Sequence, residues 1–191
     1  KKLLMSATLL DAEYYMKSLN ISSENCSYMF KDTPFKLENR PIIYIPAGKM
    51  SYKYMDTSLP NLCVFIDEIL KMHENEKGII HATNFKIAEF IRANLKSKRL
   101  IVQDRGADRG ILLQQHIESA EPTVIVSPSM TEGVDLKDDL SRFQIFCKLP
   151  FPPLTDEMVK RKLEIEPKFY PYTTSQIIMQ AVGRKIGRAH V

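Results

Sequence analysis

Cysteine is scarce in this chain: three residues in 191, Cys26, Cys63 and Cys147, lie far apart with no C-x-x-C pair among them. Neither a zinc site nor an iron–sulfur cluster is therefore expected in this chain, and buried thiols in a reducing, intracellular compartment are. Long apolar runs are lacking as well. None approaches the ~20 residues of a membrane span, and the opening "KKLLMSATLL" has too short an apolar stretch for a secretory signal, so no membrane partner is expected. An initiating Met is absent, and the first residues look like a strand torn from a longer neighbour, so a fragment of something larger is expected. A dominant charge is missing too. The 27 Lys and Arg residues face 23 Asp and Glu, a mild excess that permits a nucleic-acid partner without demanding one.

The phosphate loop G-x-x-x-x-G-K-[ST] is nowhere to be found. "PAGKMS" offers Gly48 and Lys49, but Met50 stands where a hydroxyl must bind Mg²⁺ and Ile43 where the first glycine belongs. The chain alone is therefore expected not to hydrolyse ATP. "DEIL" at 67 to 70 superficially suggests an acidic helicase box, yet it falls inside an amphipathic segment and reads better as a solvated helix face.

What is present is an ordinary globular composition, 44% hydrophobic, enough for one compact core. Apolar, β-branched runs at 40–47, 78–83, 99–103, 123–127 and 142–149 read as strands. Leu59, Leu62, Ile66, Ile69 and His73, then Ile87, Ile91 and Leu95, recur at helical spacing between them. A weaker helix follows Asp108, a candidate N-cap. Near-continuous apolar strands separated by such helices imply an α/β fold: a doubly wound, mostly parallel sheet with helices on both faces. Ligand chemistry then gathers at the carboxyl ends of the strands.

Three stretches fall there: "HATNF" after the second run, "SPSMTEGVD" after the fourth and "KLPFPP" after the fifth. After the strand at 123–127 come Ser127, Ser129, Glu132, Gly133 and Asp135, hydroxyls, a glycine and carboxylates able to hold a phosphate chain or orient an arginine; a polar turn is the plain alternative. "QAVGR" closes a helical segment that Thr173 or Thr174 can cap, with Gln180 and Arg184 four apart on one face; a solvated helix end is the alternative. Asn84 in "HATNF" sits where a helix N-cap belongs.

"LLMSATL", "GIIHATNFKIAEFI", "VSPSMTEGVDLKDDLSRFQIFCKLPFP" and "QAVGR" occur in the order and spacing of motifs III, IV, V and VI of superfamily 2 DNA helicases, and the chain resembles their DinG and XPD-like branch. The resemblance implies a RecA-like second motor domain over 41–184, preceded at 1–40 by the end of a first motor domain and a linker. It gives Ser6, Ala7 and Thr8 a role in coupling ATP state to DNA grip. Glu132, Gly133 and Asp135 become ATP-binding residues, and Gln180 and Arg184 catalytic ones that stabilise charge on the γ-phosphate. Asn84, Ser127 and Ser129 become nucleic-acid contacts, although the family usually carries Ser-Tyr where this chain has Asn84 and Phe85. The implied cofactors are ATP and Mg²⁺, in a site completed by a missing N-terminal motor domain. The implied partner is single-stranded nucleic acid, with DNA the form that the family resemblance implies.

Motif VI of the family runs Q-x-x-G-R-x-x-R, yet position 187 is Gly187 and Arg188 comes one step late. Residues 185–191, "KIGRAHV", match the translation of a widely used short-read sequencing adapter and are expected to be no part of the natural protein. Two further readings stay open: a non-catalytic α/β module that binds nucleic acid or protein, and a doubly wound small-molecule domain. A Gly-rich turn after the first strand, which the latter needs, is lacking.

Overall fold

The computed structural model describes residues 3–6, 8–32, 38, 41–129 and 136–183. Among them β1 (Gly78–His81), β2 (Leu100–Val102), β3 (Val124–Ser127) and β4 (Phe143–Phe146) form one sheet in the order β2-β3-β1-β4. Every neighbouring pair is parallel, with Ile79 opposite Ile125, Ile80 opposite Val126, Leu100 opposite Val124 and Gly78 opposite Phe143. The central strands β1 and β3 are buried at every position. That is why their sequences run apolar without alternation.

Successive side chains of a strand point to opposite faces, and the core divides accordingly. Ile80, Val124 and Val126 meet α2 (Met55–Met72) through Leu59, Leu62 and Ile66, and α3 (Phe85–Asn94) through Ile87, Ala88 and Ile91. Ile79 and Ile125 meet Leu112 of α4 (Arg109–Glu118) and Leu136 on the other side. Each fully buried Ile contributes roughly 1.5–3 kcal/mol of transfer free energy. Helices thus cover both faces, as the sequence predicts.

Two cations fasten the amino edge of the sheet. Arg99 donates to the carbonyls of Leu70, His73, Glu76 and Pro122 at 2.6–2.9 Å. Lys77 donates to those of His116, Ile117 and Ser119 at 2.6–3.3 Å. These carbonyls include the unsatisfied last ones of α2 and α4, where a positive charge also meets the negative end of the helix dipole. Gly78 is required here by close approach: a Cβ would lie 2.5 Å from the Phe143 ring, which itself stacks on His73.

Outside the sheet are α1 (Ala12–Ser18), α5 (Glu157–Ile165) and α6 (Phe169–Gly183). Four sequence expectations change. Residues 41–47 form no strand, and Ile42, Ile43 and Tyr44 are exposed; strand propensity needs a paired neighbour, and the segment has none among the described residues. Leu3 to Ser6 and Thr8 to Leu10 likewise form no strand. The helix expected to begin at Thr173 or Thr174 begins at Phe169, and Thr174 bonds back to the Tyr170 carbonyl at 2.9 Å from inside it. Pro171 fits its first turn, where no N–H is needed. Finally, Cys63 and Cys147 are buried but Cys26 is exposed. Burial, with the neighbouring Cys63 adding to it, pushes the Cys147 thiol up to about 12, so it behaves as a small hydrophobe. "DEIL" lies in α2, where Asp67 pairs with Lys71 at 2.6 Å on the helix surface. No helix of the described residues is long and apolar enough to cross a membrane.

Candidate functional site

At the carboxyl edge, the exit from β1 is sharp. Thr83 adopts φ 62°, a left-handed conformation costly for a β-branched residue, on the order of 1–3 kcal/mol. Its hydroxyl donates to the Ala82 carbonyl at 2.6 Å. The turn delivers Asn84 as the N-cap of α3, its side-chain oxygen accepting the Ile87 N–H at 2.9 Å. The capping expectation therefore holds, and the same oxygen is engaged within the fold.

The exit from β3 is organised by a residue that sequence reasoning left without a role. Gln103, buried just beyond β2, donates its backbone N–H to Val126 and accepts the Ser127 hydroxyl at 2.5 Å and the Ser129 hydroxyl at 3.2 Å on one carboxamide oxygen. The Ser129 N–H in turn reaches the Ser127 hydroxyl at 3.1 Å, and Arg109 donates to the Ser129 carbonyl at 3.4 Å. A hydroxyl carries a single hydrogen, so either serine must leave Gln103 before it can donate to a phosphate. The available signal was a polar residue closing the apolar run "RLIVQ" at a strand's carboxyl end.

A second cluster joins the two ends of the described chain. Lys168, Tyr172, Gln176 and Gln180 recur every four residues, hence on one side of α6 and its approach. Gln180 donates to the Thr8 hydroxyl at 3.3 Å, Gln176 to the Thr8 carbonyl at 3.0 Å, Tyr172 to the Leu9 carbonyl at 2.6 Å, and Lys168 to the Asp11 carboxylate at 2.5 Å. Ser6 lies 3.3 Å from the Thr8 hydroxyl, and Tyr14 packs on Tyr172 with ring centroids 4.3 Å apart. Asp11 also caps α1, accepting the Tyr14 N–H at 2.9 Å. Hydrogen bonding from Lys168 holds the Asp11 carboxyl below its ordinary value, and hydrogen bonding to Asp11 raises Lys168.

Of the sequence-predicted residues, the structure thus brings Ser6 and Thr8 to Gln180, and Ser127 to Ser129, while Asn84 caps α3. Ala7, Glu132, Gly133, Asp135 and Arg184 lie outside the described residues. Among the described residues no group of three or more His, Cys, Asp or Glu side chains is placed to hold a metal ion.

A family model for the helicase C-terminal domain matches residues 66–190. The chain is 26% identical over 147 residues to the ATP-dependent DNA helicase YoaA of Haemophilus influenzae, an alignment covering 74% of this chain and 22% of that protein. It is 31% identical over 84 residues to the ATP-dependent DNA helicase YoaA of Escherichia coli, covering 44% of this chain and 13% of that protein. The aligned region is less than a quarter of the length of either relative. With a parallel α/β sheet and a family match across most of its length, the chain belongs to the helicase C-terminal domain family.

Proposed function

We propose that the chain serves as the second motor domain of an ATP-dependent DNA helicase of the DinG and XPD-like type, contributing one wall of an interdomain ATP site and part of a single-stranded DNA track. The phosphate loop and the Mg²⁺ carboxylates belong, in this reading, to an N-terminal motor domain, and the chain alone does not turn over ATP. The protein works inside the cell, where its nucleotide and DNA are.

The observation that carries this reading is the contact of Gln180 with Thr8. It joins the segment resembling motif III to the one resembling motif VI, the two that must respond together when an interdomain cleft closes. The four-residue series from Lys168 to Gln180 continues in sequence to Arg184. An arginine offered from this side neutralises charge developing on a transferring phosphoryl group, which is chiefly a matter of positioning and electrostatics. Glu132, Gly133 and Asp135 bind nucleotide, while Asn84, Ser127 and Ser129 contact the nucleic acid, buried Ser127 only once its hydroxyl has left Gln103. Mg²⁺, when bound by the other domain, screens the phosphate charge.

The test is ATP turnover by this chain joined to a phosphate-loop motor domain of its family. Arg184→Ala should leave ATP binding intact and lower turnover by roughly 10²- to 10⁵-fold. Unchanged turnover would overturn the assignment.

A further inference from the structure

The loop between β2 and α4 presents a group that the reading above leaves without a task. Arg105 lies over the Phe85 ring, its guanidinium carbon 4.9 Å from the ring centroid, and its Nε donates to Glu89 at 3.0 Å. Its side chain is nonetheless 68% exposed. Gly106 follows with φ 77° and nothing near the place of a Cβ, so the loop turns away from Arg105 without crowding it. Phe85 opens α3 directly after Asn84, which puts the pair at the carboxyl edge of the sheet.

The charges around it are already matched. Arg105 pairs with Glu89, Arg92 with Asp104 at 2.5 Å, and Lys86 with Asp56 at 2.6 Å. Cations already held by carboxylates offer a nucleic-acid strand crossing here less with which to replace its counterions. It does find a flat surface. The guanidinium lies over the Phe85 ring and most of the side chain is open to solvent, and a guanidinium plane is a platform on which any base can stack.

Resting on the helicase reading, we propose that the Arg105–Phe85 pair is a stacking platform that holds a base of single-stranded nucleic acid at this edge through its plane and not through its charge. Sequence preference is weak, because every base has a π-face.

Fluorescence anisotropy of the 191-residue chain with labelled oligothymidylate, and with an abasic oligomer of the same phosphate count, tests this. The wild type should bind oligothymidylate more tightly than the abasic strand. Arg105→Ala should weaken oligothymidylate binding by roughly five- to a hundred-fold, the range for losing one stacked base. It should leave abasic binding and the salt dependence unchanged. Arg105→Lys, which keeps the charge and loses the plane, should behave as Arg105→Ala, and Phe85→Leu should weaken oligothymidylate in the same direction. Wild-type behaviour of Arg105→Lys, or a salt slope lowered by about one in Arg105→Ala, overturns stacking in favour of a phosphate contact. Oligothymidylate binding that all three variants leave unchanged overturns the platform and spares the nucleic-acid reading. Failure of the wild type to bind either strand removes both.

Discussion

Gln180 and Thr8, 172 positions apart in sequence, share a hydrogen bond of 3.3 Å. With Gln176 and Tyr172 it fixes the segment before α1 against one side of α6. Losing a single such bond costs about 1 kcal/mol, so Gln180→Ala should raise local opening of α1 about five-fold. Hydrogen exchange of the amides of residues 12–18 should speed up accordingly while those of β1 and β3 do not. Equal exchange in both proteins would mean the contact contributes nothing.

Gln103 accepts two serine hydroxyls on one oxygen. Gln103→Leu should cost about 1–3 kcal/mol in urea unfolding, because buried Ser127 then loses its acceptor. Adding Ser127→Ala to that variant should cost less than Ser127→Ala costs the wild type. Strict additivity in this cycle would speak against a shared network.

The pH dependence of α1 docking has two arms. Asp11 is depressed below its ordinary 3.8, so its contribution is complete above that value and lost as pH falls through the lower folded one. Lys168 is raised above its ordinary 10.5, so its contribution is complete below that value and lost as pH rises through the higher folded one. Protection of residues 12–18, corrected for intrinsic exchange, should be flat between these limits and decline outside them. Asp11→Asn should weaken both declines, leaving at low pH the part that Glu166 contributes through Lys17 of α1; declines as large as in the wild type would show that the Asp11–Lys168 pair is not their source.

Gly78→Ala forces a methyl group to 2.5 Å from the Phe143 ring. Overpacking of this kind costs about 1–3 kcal/mol and should lower the urea midpoint. Phe143→Leu in the same chain should recover part of the loss. A midpoint unchanged by Gly78→Ala would show that the ring moves aside freely.

Much of the sheet is legible in the sequence because β1 and β3, buried on both faces, have no polar positions to obscure them until His81 and Ser127. Asn84 and Asp108 are legible as caps because their effect is local: each accepts an N–H two or three residues on. The union of Thr8 with Gln176 and Gln180 is not, since no spacing pattern links residues so remote and α1 itself has no buried residue to mark it. Residues 41–47 mislead for the converse reason: their composition suits a strand, but strand formation depends on a partner that composition does not reveal. Gln103 lies between these cases, visible as a polar residue after Leu100–Val102, its two serine partners brought to it only by the β2-β3 pairing.

Arg99 and Lys77 between them grip seven backbone carbonyls at the amino edge, including the ends of α2 and α4. That edge is a fulcrum. The 18 residues of α2 make a rod about 27 Å long. Tilting it by about 5° around its fastened end moves Tyr54, at the far end, by about 2 Å. Asp56 in the first turn of α2 pairs with Lys86 in the first turn of α3, so a displacement of that size would be passed to the rim that carries Asn84 and Phe85 while the base stayed fastened.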